Sequence, residues 1–188
     1  MSAVFTPPRV KLTVDRFEKM GEAGIFGGGE RIELIEGELV EMAPIGGPHF
    51  GVVNALTGIL VRAVGSEGTV SVQNPIGLLP DSEPQPDVVI LKPGFQGRRA
   101  RIPRAADVLL VIEVADTTLR YDTDVKLPIY ARAGLPEVWI VDVSGLSIEV
   151  YRDPTPQGYA SHRSARDHDV IALLQLPRIA VRVADVLG

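Results

Sequence analysis

The amino-acid sequence predicts an α/β fold in which a mixed β-sheet is flanked by helices. Residues 48–65 place Val52, Val53, Leu56, Ile59, Leu60 and Val64 at helical spacing. Residues 108–115 hold the apolar, β-branched run Val-Leu-Leu-Val-Ile of a strand buried on both faces. A second helical segment at 122–133 and a further strand at 137–143 complete the order helix, strands, buried strand, helix, strand. That order describes a mixed sheet rather than a strictly alternating, doubly wound one.

Element by element, residues 1–12 read as a loose lead-in. Thr13 then caps a short helix with Val14, Phe17 and Met20 on one face and Asp15 in its first turn, and Gly21 and Gly24 close it. Gly27-Gly28-Gly29 is a flexible connector, since no Lys-Ser or Lys-Thr pair accompanies it as a phosphate-cradling loop requires. From Arg31 to Met42 the pattern alternates across Glu36-Gly37, which predicts a tight hairpin with acidic groups along one face. Gly65 ends the helix over 48–65, and strands are expected at 69–79, 86–91 and 108–115. Gly134 and Pro136 stop the second helix, and 147–151 pairs as a hairpin with the strand before it. Weaker signals at Tyr159, 170–174 and 179–186 suggest additional C-terminal edge strands or a short closing helix. The whole chain, 1–188, is expected to form one domain.

Composition narrows the chemistry. There are no cysteines, which excludes disulfides, thiol nucleophiles and thiolate zinc sites and fits a reducing cytoplasm. The N-terminus lacks a basic leader, and no run approaches the length of a membrane span, so a soluble cytoplasmic protein is expected. A formal net charge of −5 argues against a basic nucleic-acid coat; contact with nucleic acid must be local or bridged by metal.

Burying a carboxylate is costly unless it is paired or binds a metal, so charges inside apolar strands are informative. Asp87 opens Pro86-Asp87-Val88-Val89-Ile90, and Glu113 interrupts Val111-Ile112-Glu113-Val114-Ala115. Taken singly, Asp87 could cap a strand and Glu113 could pair with an arginine. Together, two carboxylates on neighbouring strands suit Mg²⁺ or Mn²⁺. Lys126 follows on the next helix, sharing one face with Asp122 and Tyr130. Among four lysines and fifteen arginines, a lysine here favours a role for a compact ammonium over a simple surface partner of Asp122.

These residues resemble a family. The strings Ile32-Glu33-Leu34-Ile35-Glu36-Gly37-Glu38-Leu39-Val40, His49, Pro86-Asp87-Val88-Val89-Ile90, Ile112-Glu113-Val114, Lys126 and Tyr130 through Asp142 are similar to the Uma-type family of restriction-endonuclease-like proteins in the PD-(D/E)XK nuclease superfamily. The resemblance covers roughly residues 10–150. It implies a restriction-endonuclease-like core, a metal-dependent endonuclease acting on DNA most readily, and a homodimer. A catalytically silent binding or scaffold module with the same fold is the alternative.

By that resemblance Asp87 and Glu113 are catalytic metal ligands. Ala115 stands where the superfamily pattern has lysine, so Lys126 is expected as a migrated catalytic lysine, replaceable without structural cost. Glu38 fits best as the N-terminal acid completing the metal site, with Glu33 and His49 as secondary candidates. Arg98, Arg99, Arg101 and Arg104, in the loop between the Asp87 and Glu113 strands, are the local patch for phosphates, the first three as nucleic-acid-binding residues.

Overall fold

The computed structural model describes residues 9–188 except 28, 79 and 99. Most of the lead-in, the centre of the glycine connector, Leu79 and the candidate Arg99 therefore lie outside the described residues. Helix α1 (Val14–Glu22) begins where Thr13 Oγ1 accepts from the Arg16 N–H, and its buried Val14 and Phe17 pack on Leu34. Strands β1 (Ile32–Ile35) and β2 (Glu38–Glu41) form the expected hairpin. Its turn residues Glu36 and Gly37 have φ of 48° and 80°, the positive pair that a two-residue hairpin loop needs.

Six strands make the main sheet in the order β3 (Thr69–Val72), β4 (Val88–Leu91), β5 (Val108–Ala115), β6 (Glu137–Asp142), β7 (Ser147–Thr155) and β8 (Gly158–Arg166). Only β5 and β6 pair in parallel. A parallel pair needs a crossover, and here it is helical. Helix α3 (Leu119–Tyr121) passes through a π turn (Asp122–Lys126) into α4 (Leu127–Arg132). Pro128, with no N–H to give the Asp124 carbonyl, accounts for the wide turn, in which the Leu127 N–H bonds to the Asp122 carbonyl.

Alternation along β5 divides the core. Leu110, Ile112 and Val114 face helix α2 (Gly47–Val64), whose Leu56 and Leu60 are fully buried. Truncating either leucine to alanine should cost about 2–5 kcal/mol. Val111 and Ala115 face the other way, onto Ile129 and Tyr130 of α4. At the C-terminus, β9 (Val170–Ala172), β10 (Ala180–Arg182) and α5 (Ala184–Leu187) place Ile171, Val181 and Val186 in the α2-side core. An extra ladder and a closing helix are thus both present. Among the described residues, no helix is long and apolar enough to cross a membrane.

Three boundaries differ from the sequence reading. The strand expected over 69–79 stops at Val72, because Gln73 turns to a φ of 52°; Gly77 and Leu78 then form only isolated bridges. The crossover helix starts before residue 122, at Leu119. Strand β7 runs on to Thr155 and pairs with β8, where Ala165 is the buried residue and no apolar alternation marks the element.

Candidate functional site

The register of β4 and β5 builds the site. Val88 pairs with Ile112, so one step further sets Asp87 across from Glu113. Both carboxylates leave the sheet on the α4 face, with Val89, Val111 and Ala115. Asp87 is 7% exposed and Glu113 3%. Together they line a cleft of about 330 Å³ whose walls also carry Glu33, His49, Asp122 and Lys126.

Asp87 is held on both oxygens. Its Oδ2 accepts the Val114 N–H at 2.9 Å and lies 3.0 Å from His49 Nε2, while Oδ1 accepts from Gln73 Nε2 at 3.1 Å. Burial works against the charge, but the bonds from His49, Val114 and Gln73 outweigh it and hold the carboxyl below the usual aspartate value. His49 is raised in turn, chiefly by its bond to Asp87 and against the cost of burial.

Glu113 is held differently. Its Oε1 accepts from Lys126 Nζ at 3.2 Å and from the Tyr130 hydroxyl, and Lys126 Nζ also donates to Glu33 Oε1 at 2.9 Å. The Gln85 N–H fixes Glu33 Oε1 from the far side at 2.7 Å. Burial pushes Glu113 up to about 8; Lys126 counters this, while Asp122, Asp87 and Glu33 add repulsion. Burial likewise raises Asp122 to about 6 although Thr118 Oγ1 donates to it. The Lys126 ammonium stays charged above its ordinary value, because Glu113 and Glu33 more than offset its burial.

The structure brings Asp87, Glu113, Lys126, Glu33 and His49 into one cleft. Glu38 is not among them. It is exposed opposite Ile35, on the same face of the hairpin as Glu33 but at the turn end and outside the lining, whereas Glu33 is buried and the exposed Glu41 reaches the cleft wall. Arg101 makes a two-pronged pair with Asp107, at 2.8 and 3.0 Å, and Arg98 is exposed; neither lines this cleft. Arg31 does. Sequence reasoning missed Gln73, Gln85, Asp116 and Tyr121; Asp116, three residues before the helix start at Leu119 and directly after the buried strand, carried the one usable signal.

A divalent cation suits this donor set. Asp87, Glu113, Glu33 and Asp122 crowd against the single ammonium of Lys126, and repulsion from Asp122, Asp87 and Glu33 adds to the burial that raises Glu113. His49 Nδ1 and the Tyr121 hydroxyl, both in the cleft lining, are buried without a hydrogen-bond partner among the described residues. Among those residues no three His, Asp or Glu side chains form a ready cage. Two carboxylates with the remaining positions hydrated is the arrangement Mg²⁺ tolerates.

A family model named Uma2 and described as "Putative restriction endonuclease" matches residues 14–184. The crystal structure of a protein titled a putative nuclease belonging to DUF820, from Anabaena variabilis, superposes with a TM-score of 0.76 at 14% identity, covering 94% of this chain and 97% of that one. At that identity the likeness bears on the fold, the mixed sheet between helices. No curated protein matches.

Proposed function

The chain belongs to the Uma2 family of restriction-endonuclease-like proteins, and from that premise we propose that it is a metal-dependent nuclease hydrolysing phosphodiester bonds, with DNA the expected substrate. The observation that carries this reading is the placement of Asp87 across from Glu113 on adjacent strands with Lys126 bonded to Glu113. Asp87 and Glu113 would hold Mg²⁺ or Mn²⁺, which when bound neutralises phosphate charge and acidifies water for in-line attack.

The chain's own residues do the rest. Asp87 stays ionised at neutral pH because three donors stabilise its charge. Tyr130 and Lys126 both occupy Glu113 Oε1, which fixes the rotamer and leaves Oε2 to turn toward a cation. The Lys126 charge lies beside the position where negative charge develops on the substrate, in a site largely closed to water. His49 holds Asp87, the proposed metal ligand, in place, and its Nδ1 has no partner among the described residues.

The test is cleavage of supercoiled and of end-labelled linear DNA in Mn²⁺, Mg²⁺ or EDTA, by wild type and by Asp87→Asn. Cleavage that needs metal and disappears in Asp87→Asn is expected. Binding of DNA without cleavage, and without any Mn²⁺ affinity that depends on Asp87, would establish the silent module instead.

A further inference from the structure

A second cleft, of about 610 Å³, adjoins the first, and Gln85 lines both. It lies between α1, the chain leading into β1, and the segment around Arg104. Two polar atoms of its lining residues, Glu83 Oε2 and Arg104 Nη1, are buried without a hydrogen-bond partner among the described residues. They stand 4.0 Å apart, beyond hydrogen-bond reach, and the Glu83 side chain is 4% exposed. Arg104 is held from moving nearer. Its Nη2 donates to Glu18 Oε1 at 3.1 Å, and its guanidinium crosses Gly77, where a Cβ would overlap it.

Native proteins seldom leave a buried acceptor and a buried donor open side by side, because each has lost its water. A ligand offering a donor and an acceptor on one edge satisfies both. The apolar wall of the cleft is the ring pair Phe17 and Phe26, with centroids 5.2 Å apart, and Phe26 is the more open of the two. Glu18, Glu22 and Glu30 stand around it and its two arginines are already paired, Arg104 with Glu18 and Arg101 with Asp107, so a phosphate is disfavoured and an uncharged ring is admitted.

We infer that this cleft is a nucleobase subsite for the strand cut at the neighbouring centre, and that guanine is the base it prefers. Guanine N1–H and N2–H donate to Glu83, O6 accepts from the Arg104 guanidinium, and the ring packs on Phe26. A base seated there has left its stack, so the substrate is unpaired at that nucleotide, either single-stranded or flipped from a duplex. The role in the cut strand rests on the nuclease reading; recognition of the base does not.

The two are therefore tested apart. Guanosine, adenosine, cytidine and uridine, which carry no phosphate for the first cleft, are titrated into the full chain in EDTA by saturation-transfer NMR and calorimetry. Guanosine should bind about tenfold or more tighter than the others, Phe26→Ala should weaken it about tenfold, and Glu83→Gln should flatten the preference. Thermal melts check folding, and Phe26→Leu, which keeps apolar volume without a stacking face, serves if the alanine variant does not fold. A folded wild type that binds no nucleoside, or binds all four equally, overturns the subsite. So does guanosine binding that ignores both substitutions. Failure of the nuclease reading shows elsewhere, as absence of metal-dependent cleavage whatever the nucleosides do.

Discussion

Lys126 Nζ and Glu33 Oε1 lie 2.9 Å apart although 93 residues separate them in the chain, and their bond ties the N-terminal hairpin to the crossover helix beneath the sheet. The ammonium is buried between two carboxylates, so removing it leaves Glu33 and Glu113 facing each other in low dielectric. Lys126→Met should lower stability by about 3–5 kcal/mol in urea melts with EDTA, the usual cost of breaking a buried pair from one side. This reverses the expectation that Lys126 is structurally replaceable, which placed the ammonium near Glu113 without its burial between two carboxylates. Adding Glu33→Gln to Lys126→Met should recover part of the loss. Equal melting of wild type and Lys126→Met would mean that the ammonium is not held there.

The two proposed metal ligands should respond in opposite directions to neutralisation. Asp87 is held below its ordinary value by three donors, so Asp87→Asn in the metal-free protein should cost about 1–3 kcal/mol of stability through lost or inverted hydrogen bonds. Glu113, raised to about 8 by burial, is strained as a carboxylate, so Glu113→Gln at pH 8 should be neutral or stabilising. Both variants should lose Mn²⁺ affinity by calorimetry. If Glu113→Gln destabilises as much as Asp87→Asn, the carboxylate is a structural partner first.

Legibility tracked burial and periodicity. Helix α2 and strand β5 were readable because their apolar residues repeat at the period of the element that buries them. Asp87 and Glu113 were readable as charges within such runs. Glu33 was not preferred over Glu38, because both are glutamates on one face of a single hairpin and only the packing of the Gln85 segment against β1 decides which one is buried. Strand β8 left only the weak edge-strand signal at Tyr159, since an edge strand with one buried residue carries no alternation. The π turn was half legible: Pro128 denies the Asp124 carbonyl its regular helical bond, but that the resulting turn buries Asp122 and Lys126 shows only in the packed fold.

Glu83 predicts a pH effect away from the metal site. Burial and the neighbouring Glu18 raise it from 4.5 to about 7, with Arg104 opposing. Between those values the folded chain keeps a proton that the unfolded chain has released, so this contribution is fully present below pH 4.5 and is lost as pH rises through about 7. The difference in stability between Glu83→Gln and wild type should therefore grow in favour of the variant from pH 5 to pH 8. Urea melts at four pH values measure it, and a difference that stays flat would mean Glu83 titrates normally.

The arginines offer the last comparison. The sequence pointed to Arg98, Arg99 and Arg101 as the phosphate patch, yet Arg101 is committed to Asp107 and packs over Phe95 at 5.1 Å, outside the first cleft, whereas Arg31 lines it. A residue that neutralises a phosphate contributes about 0.9 to the slope of log affinity against log salt on B-DNA. If the strand enters over Arg31, Arg31→Ala should weaken binding of labelled DNA in EDTA and reduce that slope by about one, across sequences. Arg101→Ala should change it little, because its charge is already matched by a carboxylate. Fluorescence anisotropy over a series of salt concentrations separates the two. A slope that falls for Arg101→Ala and stays fixed for Arg31→Ala would route the phosphate backbone past the loop and away from the cleft that holds Asp87 and Glu113.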